Sequence, residues 1–205
     1  MMKILSLLAL FGSAVAFAPA GQTKVSTAMD LTLDDLPGVM PPTGKFDPMG
    51  LAETGSDATL LWFRAAELKH SRVAMLACTG YLVNGAGYHF GGMLSKDVSF
   101  ESLSSMKPFD AWDAVPESGK AQILFTIFLA EVITESKGTH YTKGGDFPQI
   151  VFPPVDFSSV DAKTLEKRQM AELANGRLAM IGIMSFIAAV NVPGSVPALV
   201  GNPAF

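Results

Sequence analysis

Two stretches of this chain place a carboxylate, a second donor and an arginine at the same spacing, each at the mouth of an apolar run. In RAAELKHSRVAM (64–75) they are Glu67, His70 and Arg72; in QMAELANGRLAM (169–180) they are Glu172, Asn175 and Arg177. Both copies carry Ala-Glu-Leu, the arginine and the Ala-Met that follows it, so this is an internal repeat. Carboxylate oxygen, imidazole nitrogen and amide oxygen all ligate hard divalent cations such as magnesium. Glu-x-x-His on bundle helices is also the signature of di-metal carboxylate enzymes. That alternative asks for two such motifs and two further glutamates on four helices. Here the second copy has Asn175, and three long helices are predicted.

Within one copy the glutamate and the second donor share a helix face. The arginine lies about 7.5 Å further along the axis and about 140° around it, too far round to pair with its own glutamate. A two-fold relation between the helices supplies the partner: Glu67 meets Arg177, and Glu172 meets Arg72. A lone charge at mid-membrane costs roughly 2.5–3.5 kcal/mol on insertion scales, so reciprocal pairing is the cheaper burial. Small residues at matching places, Ala74 with Ala179 and Ala77 with Gly182, are expected to set the close approach.

The elements that position these groups follow from composition and pattern. The chain has 205 residues, enough for one domain; 49% are apolar and 17% charged, below the usual quarter, which leans toward a membrane. A net charge of -4 gives no basic field for nucleic acid. The single cysteine, Cys78, rules out an intrachain disulfide and reads as a small packing residue.

Residues 1–16 read as a signal peptide ending in Ala-Val-Ala, and 17–28, rich in small and hydroxyl residues and free of acids, as a transit segment. Such a bipartite leader, with its AVA-FAP junction, resembles the presequences of algal secondary plastids. Residues 29–57, dense in Pro and Gly, are predicted to be an extended loop. Helices are predicted at about 59–83, 117–137 and 161–190, the last N-capped by Asp161, within a domain spanning 58–192; 193–205 form a tail. The segment from Asn84 to Val115 reads as a loop, with His89 in it and His140 in the next loop both solvated. Trp62 and Trp112 suit membrane interfaces. The expected architecture is an all-α membrane protein with three transmembrane helices, of which the first and third form a crossed pseudo-two-fold pair. Lysines and arginines near the helix ends fall on one face, which the positive-inside rule makes stromal, together with the N-terminus.

Paired charges alone do not explain why charge is present in an apolar crossing. A ligand does: the axial position of chlorophyll magnesium accepts imidazole, amide or carboxylate donors, while the arginine neutralises the remaining charge. The paired motifs, the shorter helix between them, FDPMGL (46–51) and the leader together resemble the chlorophyll-binding light-harvesting proteins, in particular the fucoxanthin chlorophyll a/c branch, over roughly 46–190. The resemblance implies that Glu67, His70, Glu172 and Asn175 each hold a chlorophyll, with Gln122 and Glu131 as further ligands on the middle helix and Arg72 and Arg177 as supporting ion pairs. It implies chlorophyll a, chlorophyll c and carotenoids of the fucoxanthin type or related xanthophylls. The partners would be other antenna subunits, a photosystem core and thylakoid lipids, and no catalytic residue is expected. Many members have a glutamine where this chain has Ala189, which cannot ligate. A photoprotective, energy-dissipating relative would share the same motifs.

Overall fold

The computed structural model describes residues 31–148 and 160–201. The proposed signal and transit segments therefore lie outside the described residues. Among the described residues five α-helices follow in order: α1 (Asp57–Gly85), α2 (Phe100–Ser104), α3 (Pro108–Ala114), α4 (Glu117–Ser136) and α5 (Ala162–Asn191). The long helices start and stop within two residues of the expected places. Gly138, in the left-handed region at φ 75°, follows the end of α4, and Pro193 follows the end of α5. Asp161 occupies the N-cap of α5, but its side chain makes no capping hydrogen bond.

The segment between α1 and α4 differs from the loop expected there. Ser99 accepts a hydrogen bond from the Ser102 N–H and so caps α2, and Pro108 stands in the first turn of α3, where its missing donor costs nothing. Both helices are too short to show an apolar periodicity, which is why the sequence pattern passed over them.

Packing is concentrated between α1 and α5. One face of α1 is buried, comprising Leu60, Arg64, Ala65, Leu68, Ser71 and Ala74, and it meets Leu173 and Gly176 of α5. The leucine common to both repeat copies, Leu68 and Leu173, is therefore core on both helices. The closest approach falls at Ser71 and Gly176, equivalent positions of the repeat, one turn nearer the charged ends than the alanine pairs suggested. A Cβ on Gly176 would overlap the Ser71 side chain and lie 3.1 Å from its Cα. Ser71 itself is wholly buried. Further along, Cys78 Sγ donates to Ala179 O at 3.3 Å and lies 3.6 Å from where a Gly182 Cβ would stand.

The middle helix behaves differently. Residues 121–133 of α4 are exposed all round, so this helix stands off from the crossed pair along most of its length. By length and hydropathy only α5 qualifies as a membrane span among the described residues. Charge weighs against α4, which holds Glu117, Lys120, Glu131 and Glu135 in 20 residues; α1 is charged through its first half as α5 is, but its second half, with Thr79, Gly80, Tyr81, Asn84 and Gly85, is less apolar than that of α5.

Ahead of α1, the FDPMGL phrase forms a turn capped by Asp47, whose carboxylate accepts from Leu51 N at 3.1 Å and Ala52 N at 2.8 Å. The Ala52 N–H above all holds that carboxyl below its usual range. This turn fixes how the N-terminal segment enters α1.

Candidate functional site

The charged ends of α1 and α5 meet in two reciprocal pairs. Arg177 Nε lies 2.8 Å from Glu67 Oε1, and Arg72 Nε lies 2.6 Å from Glu172 Oε1. Each arginine also donates through Nη1 to a loop carbonyl, Arg177 to Gly38 O and Arg72 to Pro148 O. Those loops read DLPG (35–38) and DFPQ (146–149), a second internal repeat ahead of the helices. It was the signal from which this part of the site was available in the sequence. Charge-assisted bonds from a planar guanidinium, one to a carboxylate and one to backbone, fix its plane as well as its position.

Gly38 makes the first of these contacts possible. Its φ of +119° is a conformation that side-chain-bearing residues rarely adopt. A Cβ there would stand 2.9 Å from Arg64 Nη1 and from Leu173 Cδ1. Its N–H meets Met170 Sδ at 3.0 Å, so the N-terminal segment is pinned across both helices.

A third guanidinium, unanticipated from the repeat, enters here. Arg64 is buried, with 6% of its surface exposed, and Nη1 pairs with Glu67 Oε2. Its Nε has no hydrogen-bond partner among the described residues. The equivalent position in the other copy is Gln169, so only Glu67 has both oxygens held by arginine.

The remaining donors turn outward. His70 is exposed, and its Nδ1 lies 2.8 Å from Ala66 O. A carbonyl only accepts, so Nδ1 carries the proton and the Nε2 lone pair is left for a ligand. Asn175 is exposed beside Glu172, whose Oε2 carries no hydrogen bond among the described residues. Imidazole nitrogen, amide oxygen and carboxylate oxygen, each presented singly on an apolar helix surface, fit the axial position of a magnesium tetrapyrrole. They fit a di-metal centre poorly, because guanidinium groups occupy the space that two cations would need.

Gln122 and Glu131 are not brought to this cluster. Both lie on the exposed surface of α4, and Glu131 Oε2 is 2.5 Å from Lys69 Nζ. Lys69 also reaches Glu135 Oε1 at 2.5 Å, and Glu135 Oε2 meets His140 Nε2 at 2.6 Å. His140 Nδ1 lies 2.7 Å from Thr142 Oγ1, so this imidazole is engaged rather than solvated. Beside it Tyr141 is buried, which pushes its phenol pKa up, with the neighbouring Glu135 carboxylate adding to the effect. This relay, centred on a lysine of α1, ties the end of α4 to the crossed pair.

A family model described as chlorophyll A-B binding protein matches residues 32–190, a range that takes in both repeats and α4. The chain belongs to the chlorophyll A-B binding family. Its family relatives include fucoxanthin-chlorophyll a-c binding protein C, chloroplastic, of Phaeodactylum tricornutum, 35% identical over 191 residues, covering 91% of this chain and 94% of that protein. The fucoxanthin-chlorophyll a-c binding protein, chloroplastic, of Trieres chinensis is 32% identical over 201 residues, covering 96% and 98%. The protein so named from Chattonella marina var. antiqua is 34% identical over 194 residues, covering 89% and 84%. Membership of the chlorophyll A-B binding family thus extends over nearly the whole chain, loops included, and accounts for the mostly helical membrane fold.

Proposed function

We propose that this chain is a light-harvesting antenna protein of the plastid thylakoid membrane, carrying chlorophylls a and c and fucoxanthin-type carotenoids. The observation that carries this reading is the crossing itself: two carboxylates held by arginines from the opposite helix, with His70 Nε2, Asn175 and Glu172 Oε2 presented outward from an apolar surface. In this reading α1, α4 and α5 all cross the bilayer with the N-terminus on the stromal side, and the chain works beside other antenna subunits and a photosystem core. Bound pigments supply the absorption and the excitation transfer. The residues do the rest: Glu67, His70, Glu172 and Asn175 hold magnesium, Gln122 and Glu131 serve the α4 side, and Arg72 and Arg177 balance charge. No bond is made or broken, so the protein contributes spacing, orientation and site energy. The exposure of α4 on every side leaves room for pigment between it and the crossed pair.

The test is purification in mild detergent followed by pigment analysis and fluorescence excitation. Chlorophyll and carotenoid should co-purify, and light absorbed by the carotenoid should appear as chlorophyll emission. A colourless protein, or one in which carotenoid excitation yields no chlorophyll emission, overturns the antenna reading.

A further inference from the structure

We propose that His89 holds a further chlorophyll through Nε2, in the space bounded by the end of α1, the α2–α3 segment and the end of α5. The inference rests on the pigment-binding reading above. It concerns a separate place: His70 lies about 22 Å along the axis from the end of α1 at Gly85, and His89 lies beyond that end.

Two cavities meet at this histidine. One, of about 780 Å³, lies between the ends of α1 and α5, with Ala189 and Leu199 in its wall. The other, of about 520 Å³, is predominantly apolar, with Val83, Phe100, Leu103 and Ala111 among its lining. Both volumes fall in the range of about 300–1,000 Å³ typical of small-molecule sites. His89 lines both, so a macrocycle held there would have both open space and an apolar wall within reach. Phe90 and Phe100 stand edge to face at 5.8 Å in that wall.

The imidazole is in the correct state for ligation. His89 Nδ1 lies 3.1 Å from Phe90 O, a pure acceptor, so the proton sits on Nδ1 and Nε2 keeps its lone pair. His70 has the same arrangement with Ala66 O. A second-position hydrogen bond of this kind fixes the tautomer of metal-ligating histidines and raises their basicity. Of the other groups, Ala189 has no donor, and Glu101 lines the larger cavity but not the apolar one. Asn84 lines both, with its Nδ2 directed at Ser104 O at 3.5 Å. Ser104 also lines both, with a hydroxyl oxygen that is a weaker donor than imidazole nitrogen; Asn84 is the main competing donor, and the experiment separates it from His89.

The experiment uses the full chain assembled with chlorophyll and carotenoid, and reads chlorophyll per chain together with low-temperature absorption. His89→Leu should lose one chlorophyll per chain and one red absorption band. His89→Gln, which restores an oxygen donor, should keep both, and so should Asn84→Leu. Ala111→Phe, which fills the apolar cavity and leaves His89 itself unchanged, should expel the same chlorophyll. An unchanged chlorophyll count in His89→Leu, loss of a carotenoid alone, failure of glutamine to restore the pigment, or loss in Asn84→Leu overturns the proposal. If His89→Leu assembles no complex, Ala111→Phe decides, and an unchanged count there overturns it equally. A parent chain that binds no chlorophyll at all refutes the antenna reading instead, which is a different result from a loaded complex indifferent to His89.

Discussion

At Glu67 both carboxylate oxygens face guanidinium groups, Arg177 at Oε1 and Arg64 at Oε2, whereas Glu172 has a single arginine, Arg72, at Oε1. The sequence repeat makes the two halves look equivalent, and the interhelical pairs respect that equivalence. The local field does not. Two cations against one anion leave the Glu67 side net positive, while the Glu172 side is balanced. A carboxylate drawn toward two guanidiniums is the weaker donor, so magnesium at Glu172 should be held through the more basic oxygen. A symmetric scaffold thereby offers two electrically distinct sites, the condition under which similar pigments absorb at different energies.

The largest effect is expected where the two halves cannot be separated. Gly176→Leu places a branched side chain into Ser71 at the crossing, so both ion pairs should be lost together and no pigmented complex should assemble. Recovery of a complex with normal chlorophyll content would mean that the helices cross elsewhere. Next come the arginines, and here the halves should differ. Arg72→Leu leaves Glu172 without any arginine; the pair is only partly buried, so its loss should cost less than the roughly 3–5 kcal/mol of a fully buried one. Arg177→Leu leaves Glu67 still paired with Arg64, so its cost should be clearly smaller. Thermal denaturation of the two complexes, followed by loss of visible circular dichroism, should rank Arg72→Leu as the less stable. Equal midpoints would remove Arg64 from any compensating role.

What was legible beforehand follows the same division. The crossed charges could be read because the repeat spells them twice and because a helix places Glu67 and Arg72 too far apart in angle to pair. Arg64 could not be read that way, since Gln169 stands in its place and a lone arginine at a helix entrance ordinarily reads as solvated. Ser71 and Gly176 escaped because alanine pairs are the usual signal of close approach, whereas a serine opposite a glycine becomes visible only once the register is known. Lys69, Glu135 and His140 lie far apart in sequence and share no motif, so only the fold could join them. His89 is exposed, as its place in a loop suggested; the cavities it lines were not legible, because their walls come from α2, α3 and the end of α5, none of which the local pattern around it reveals.

The finest test equalises the halves. Arg64→Gln places at the first copy the residue that the second copy already has, at a position where Gln169 shows that an amide is compatible with the fold. The arginine is buried and its Nε has no partner among the described residues, so its removal relieves one desolvated group while costing one of two bonds to Glu67. Glu67 keeps Arg177, so the substitution leaves no unpaired buried anion; the expected change in stability is within about 1 kcal/mol, the size of one net hydrogen bond, and chlorophyll per chain should not change. Glu67 Oε2 then becomes as free as Glu172 Oε2, and its carboxylate becomes the stronger donor. One red absorption band should therefore move, in a complex of unaltered composition, with the remaining bands in place. If every band stays where it was, the second guanidinium has no bearing on the pigment at Glu67; if a chlorophyll is lost, Arg64 is part of what holds it.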